Sequence, residues 1–112
     1  MTMPLFDAAS LELLRANGRN RDQDHAQVIK VFNPMGGQTW LLSELDPEDN
    51  DTLFGLCDLG MGEPEMGYVS MSELLEVSRM LPIGLERDLY FQGTRPLSVY
   101  AGEARAAGRI TA

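Results

Sequence analysis

Three turn signals between residues 33 and 65 make the middle of this chain run back and forth as short strands. Asn33-Pro34 with Gly36-Gly37 comes first, the polar run Asp46 to Asp51 (DPEDND) second, and Gly60 to Glu65 (GMGEPE) third. These residue types favour reversals because they preset φ, tolerate positive φ or bond their own backbone. The stretches between them are rich in apolar, β-branched and aromatic residues, as strands are. Gln27 to Phe32 (QVIKVF) and Thr39 to Leu45 predict a first hairpin, with Trp40, Leu42 and Glu44 on one face. Thr52 to Leu59 (TLFGLCDL) is apolar enough for a central strand, and Met66 to Ser70 follows as a short one.

Helical patterns flank this block. Asp7 to Asn17 predicts an amphipathic helix in which Leu11 and Leu14 share a face, Leu13 widens it and Asn17-Gly18 stops it. Gly18 to Ala26 has almost no apolar residue and reads as a solvated loop. Ser72 to Leu81 predicts a second helix burying Leu74, Leu75, Val77 and Met80 or Leu81, ended by Pro82 and Gly84. Leu85 to Phe91 alternates like a strand, aiming Leu85, Arg87, Leu89 and Phe91 one way and Glu86, Asp88 and Tyr90 the other. Pro96 opens a last helix that runs to Gly108.

The expected fold class is therefore α+β: a single antiparallel sheet of about five strands with helices on a face. The helices pack at the N-terminus, before the last strand and at the C-terminus. A chain of 112 residues fits one such domain, residues 1–112.

Charge is distributed unevenly. Residues 1–30 carry four bases and four acids, residues 31–78 ten acids and no base, and residues 79–112 five bases and three acids. The sum, 0 − 10 + 2, is the net charge of −8. A central block of this kind repels phosphates and favours cations or basic protein surfaces, so direct nucleic-acid binding would need metal or the flanking arginines. One cysteine and one histidine exclude a disulfide framework, Cys-rich zinc sites and His-paired metal motifs. No apolar run approaches membrane-spanning length, and Met1-Thr2-Met3-Pro4 lacks the basic start of a secretory signal, so a cytoplasmic location is expected.

Several constellations fail as motifs. Asp46, Glu48 and Asn50 occupy positions 1, 3 and 5 of a calcium loop, but Asp51 and Cys57 stand where glycine and a bidentate glutamate are needed. Gly36-Gly37 does not extend into a phosphate loop. Cys57 reads as a small core residue, and His25 as an exposed loop histidine near Asp22 and Asp24. Arg87 is the least ordinary residue: alternation turns it toward an apolar face, where it needs a carboxylate, and Glu44 or Asp58 is the expected partner in a structural ion pair. Glu44, Asp58, Glu86 and Asp88 could converge from neighbouring strands on Mg²⁺ or Mn²⁺, although no spacing requires it.

Together these stretches resemble the DUF2958 family of uncharacterised bacterial proteins. The matching pieces are Phe32-Asn33-Pro34, Thr39-Trp40-Leu41, Glu44-Leu45-Asp46, Leu53-Phe54-Gly55-Leu56, Asp58-Leu59-Gly60, Pro64-Glu65-Met66-Gly67, Ser72-Glu73-Leu74, Leu85-Glu86-Arg87-Asp88-Leu89 and the tail from Pro96 to Ile110. The resemblance implies a small stand-alone domain carried on plasmids and integrative elements, and some relatives are labelled single-stranded DNA endonucleases. It implies no catalytic residues.

The leading expectation is a non-enzymatic accessory protein without cofactor. It would bind a basic protein partner through Glu44, Asp46, Glu48, Asp49, Asp51, Glu63 and Glu65, gathered on one anionic surface. A counter-defence inhibitor of a restriction or CRISPR component is its most concrete form. The alternative is a metal-dependent nuclease on single strands, using Glu44, Asp58, Glu86 and Asp88 with Mg²⁺ or Mn²⁺.

Overall fold

A computed structural model describes residues 4–112; the Met1 to Met3 start lies outside the described residues. The elements follow the order α1 (Ala8–Gly18), β1 (Ile29–Phe32), β2 (Thr39–Leu45), β3 (Thr52–Asp58), β4 (Glu65–Ser70), α2 (Met71–Met80), β5 (Glu86–Arg87) and α3 (Leu97–Ala107). The strands form one antiparallel sheet ordered β4-β3-β2-β1-β5. This is the expected α+β fold, with the three turn signals placed between β1 and β4.

The helices divide between both faces of the sheet instead of sharing one. On the first face Ile29, Val31, Trp40, Leu42, Leu45 and Leu53 pack with Leu14 of α1 and Leu74 of α2. On the second, Leu41 and Leu56 pack with Leu97, Tyr100, Ala101 and Ala104 of α3. Hence β2 is buried along both faces, which explains why Leu41 and Leu42 stand side by side in the sequence. Two thin helical layers bury fewer helix positions than one thick layer would. Leu13, Leu75, Val77 and Met80, expected in the core, are exposed.

The sequence expectation fails most informatively at Ser43. Register along β2–β3 runs Leu41↔Leu56 and Leu42↔Gly55, then resumes at Glu44↔Phe54, so Ser43 is an extra residue in a β-bulge. The bulge reverses the alternation beyond it. Glu44 therefore lies on the α3 face with Phe54, not beneath α1 with Trp40 and Leu42, and Leu45 takes the core position. The end of α1 pins this bulge. Asn17 Nδ2 donates to the Ser43 carbonyl at 2.9 Å, and Gly18 lets the helix approach so closely that a Cβ would meet the Leu45 carbonyl oxygen at 2.0 Å.

The strand expected over Leu85 to Phe91 shortens to Glu86–Arg87. Asp88 ends it: its carboxylate accepts from the Tyr90 N–H at 2.9 Å, closing an Asx turn. Arg87 points toward the first face as expected, but its partner is at the start of α1. Its Nη1 donates to Asp7 Oδ1 at 3.2 Å and its Nη2 to Ser10 Oγ at 2.8 Å. Glu44 and Asp58, the expected partners, are both on the opposite face, out of reach. Asp7 is also the N-cap of α1, accepting the Ser10 N–H at 3.0 Å.

Candidate functional site

The expected acidic residues fall in separate places. Glu44 and Asp46 line one small cavity with Arg21, Phe54 and Tyr68, and Glu48, Asp49 and Asp51 continue from them into the β2–β3 loop. Glu63 and Glu65 are at the far end of β3, roughly 20 Å away at strand rise. No single anionic surface spans the middle strands.

Much of the loop's charge is committed to holding backbone. Asp46 accepts from the Glu48 N–H at 2.9 Å. Asp49 accepts from the N–H groups of Asp51 and Thr52 and from the Thr52 hydroxyl, bonds that hold its carboxyl below the ordinary range. Asp51 takes the N–H and hydroxyl of Ser72 in the first turn of α2, at 3.0 and 2.8 Å. Glu48 is exposed.

The four carboxylates of the metal reading do not converge. Asp58 is 2% exposed, and its two oxygens accept from the N–H groups of Gly60 and Ile110, both at 2.9 Å. It ties the β3–β4 turn to the C-terminal tail. Asp88 faces the same cleft as Asp58 but contacts Lys30 at 3.6 Å, and Arg109 stands nearby. Glu86 is exposed on the edge strand. Glu44 is roughly 13 Å along the strands from Asp58. Among the described residues, no three His, Cys, Asp or Glu side chains are placed to hold a metal ion. Burial pushes the Cys57 thiol up to about 11, so it remains protonated and poorly nucleophilic at neutral pH.

Glu44 differs from all the other acids. Its side chain is only 9% exposed, and its nearest cation is Arg21, with Nε 3.8 Å from Oε1. That separation is an ionic contact and exceeds hydrogen-bond length. Burial raises its carboxyl above the ordinary glutamate range, against the opposing pull of His25 and Arg21.

Around Glu44 a cleft of 320 Å³ opens between the loop after α1, the second face of the sheet and the start of α3. The loop is fixed at its far side. Asp24 accepts from the N–H and hydroxyl of Ser98, and the Leu97 N–H donates to the His25 carbonyl at 3.0 Å. His25 is therefore half-buried beside the cleft, not free in solvent, with Nε2 2.7 Å from the Asn20 carbonyl oxygen.

Phe54 and Met66 also line the cleft, and Phe54 carries the aromatic surface on to Tyr68 in the adjoining small cavity. Phe54 and Tyr68 pack at a tilt, 5.1 Å between centroids, and the Arg21 guanidinium sits 5.8 Å over Tyr68 while donating to its hydroxyl at 2.9 Å. The result is a buried carboxylate at the foot of an aromatic wall, with a half-exposed arginine above it. Such a site favours a planar or compact cation. Sequence reading missed His25, Phe54 and Tyr68 as neighbours of Glu44, because the bulge at Ser43 brings Glu44 to their face.

Fold and site together define a small α+β domain with helices on both faces of one antiparallel sheet. The chain belongs to the DUF2958 family, described as proteins of unknown function, whose model matches residues 5–111. No curated protein and no solved structure matches the chain. Among the described residues, no helix is long and apolar enough to cross a membrane.

Proposed function

We propose that this chain is a non-enzymatic binding module for a protein partner with a basic surface, and that the Glu44 cleft receives a cationic side chain of that partner. The observation that carries this reading is the state of Glu44: nearly buried, without a hydrogen bond among the described residues, and beside an aromatic pair that already holds a guanidinium. Arg21 stands in for the incoming group. It is half-exposed, 3.8 Å from Glu44 and hydrogen-bonded only to the exposed Tyr68 hydroxyl, so it can exchange those contacts for solvent and swing aside. Asp46 and Glu48 extend the negative field outward from the cleft, and Asp49 and Asp51 add to it while holding the loop. Glu63 and Glu65 are too distant to share this surface.

In the concrete form, the module comes from a mobile element and blocks a basic nucleic-acid groove of a restriction or CRISPR component. Affinity capture from a host lysate at low and high salt tests it, with Glu44→Gln and Glu48→Lys compared against the unsubstituted chain. The specific partner should be lost with salt and bind at least several-fold less to Glu44→Gln. A partner retained equally by both variants would refute the reading. Titration of an arginine-rich peptide into isotope-labelled protein should shift the resonances of Phe54 and Tyr68 first. Incubation with labelled single-stranded DNA and Mn²⁺ should leave the strand intact; cleavage would favour a nuclease instead.

A further inference from the structure

The sheet order leaves β4 as an edge six residues long, uncharged beyond Glu65. The other edge, β5, has only two residues. The phase of β4 follows from its hydrogen bonding. The Met71 N–H donates to the Asp51 carbonyl at 2.7 Å, and the pairing continues unbroken through Leu53↔Val69 and Gly55↔Gly67. In an antiparallel ladder hydrogen-bonded pairs alternate, so Glu65, Gly67 and Val69 bond β3, while Met66 and Tyr68 direct their N–H and C=O groups outward. Among the described residues, no backbone group outside the sheet bonds these outward groups.

Gly67 is midway between them. Its neighbour Gly55 is required by the fold, since a Cβ there would meet the Leu41 carbonyl oxygen at 2.1 Å. At Gly67 a Cβ would meet nothing within 4 Å, and the residue does not adopt positive φ. Glycine weakens a strand interior and often marks a bulge, a tight bend or the close approach of a ligand or another backbone. The β3–β4 register contains no bulge. The outward N–H and C=O groups of Met66 and Tyr68 on either side of Gly67 are what a second strand would bond.

We infer that β4 is the seam on which a second copy of this chain adds antiparallel, about a two-fold axis at Gly67. The register is self-complementary. Met66 of each copy faces Tyr68 of the other, and each such pair exchanges its outward N–H and C=O groups. Gly67 meets its own image at the non-hydrogen-bonded position, where Cα atoms approach to about 4.5 Å and no side chain intervenes. Glu65 falls opposite Val69, so like charges do not face. Tyr68, 61% exposed in the single chain, covers the half-buried Met66 of the other copy in an aromatic–thioether contact. An edge contact of this size belongs to the weak class of interfaces, and the net charge of −8 on each copy opposes it. Association therefore strengthens with added salt, opposite to the behaviour expected for the basic partner.

Sedimentation equilibrium of the full chain at low and high salt tests the inference, and a monomer–dimer equilibrium favoured by salt is expected. Gly67→Lys sets two ammonium groups face to face at the axis while entering open space in the single chain. It should weaken the dimer roughly tenfold or more with little change in melting temperature. Met80→Lys, on the separate exposed surface of α2, should leave the dimer intact. Amides of Met66 and Tyr68 should gain protection from hydrogen exchange as concentration rises. A chain that stays monomeric throughout, or a dimer that survives Gly67→Lys, overturns the inference. Should Gly67→Lys fail to fold, exchange at Met66 and Tyr68 in the unsubstituted chain decides it: concentration-dependent protection supports the seam, and its absence overturns it.

Discussion

Two arginine–carboxylate contacts on opposite faces of the sheet show how one pairing of residue types can serve two ends. Arg87 is 18% exposed, and its fork bonds both Asp7 and Ser10 at the start of α1. There the arginine is sequestered and the acid is half-exposed, so the charge with the weaker hydration is the one removed from water. At Glu44 the arrangement is inverted. The acid is buried and the arginine half-exposed, and no hydrogen bond joins them. The carboxyls respond in opposite directions: Ser10 and Arg87 hold Asp7 down to about 2, while burial raises Glu44. The first contact is a clamp between α1 and the sheet edge. The second leaves a charge incompletely compensated, as the proposed binding role requires.

The largest effect should come from unseating the contact that pins the bulge between the two faces. A Cβ at position 18 would meet the Leu45 carbonyl oxygen at 2.0 Å, so Gly18→Ala pushes α1 off β2 and should cost about 3 kcal/mol in urea unfolding. A Gly18→Ala variant as stable as the unsubstituted chain would show that the end of α1 does not pin the bulge. Next in size is Arg87→Ala, which leaves the buried Ser10 hydroxyl without its donor and should lower stability by about 1–2 kcal/mol in urea unfolding.

The two carboxyls also give opposite pH signatures. Asp7 titrates below its unfolded-state range, so its stabilisation is present above pH 4 and disappears as the pH falls toward 2. Asp7→Asn should flatten that acid limb of the melting-temperature profile. Glu44 titrates above its unfolded-state range, so its charge destabilises the fold once the pH rises through that range. Glu44→Gln should raise the melting temperature at neutral pH, and the gain should vanish in acid. Smallest is Arg21→Ala, expected to change stability by less than about 0.5 kcal/mol, since its ionic contact with Glu44 is long and its hydrogen bond goes to an exposed hydroxyl. A cost equal to that of Arg87→Ala would erase the distinction between the two contacts.

The strands were readable because turn chemistry is local: Asn33-Pro34, Asp46 to Asp51 and Gly60 to Glu65 each specify a reversal without help from distant residues. The observed β2, Thr39–Leu45, coincides with its expected span, and the expected helices shift by about one residue at their ends. What escaped was long-range. Arg87 visibly needed an acid, but Asp7 is 80 residues away in sequence and stood only as the first residue of the expected helix. The bulge did leave a trace, since Leu45 is out of step with Trp40 and Leu42 unless one residue is extra. Assuming strict alternation hid it, and with it the neighbourhood of Glu44. The expected anionic surface failed for a related reason. Sequence counts carboxylates, whereas pairing of β3 with β4 sets Glu65 opposite Cys57, at the far end of β3 from the acids before Thr52.

Asp51 is both a member of the loop before β3 and the anchor for the first turn of α2. Anyone recharging that loop to alter what the protein recognises would therefore loosen a helix at the same time. Glu48 is the position where recognition can be redesigned while the architecture stays intact.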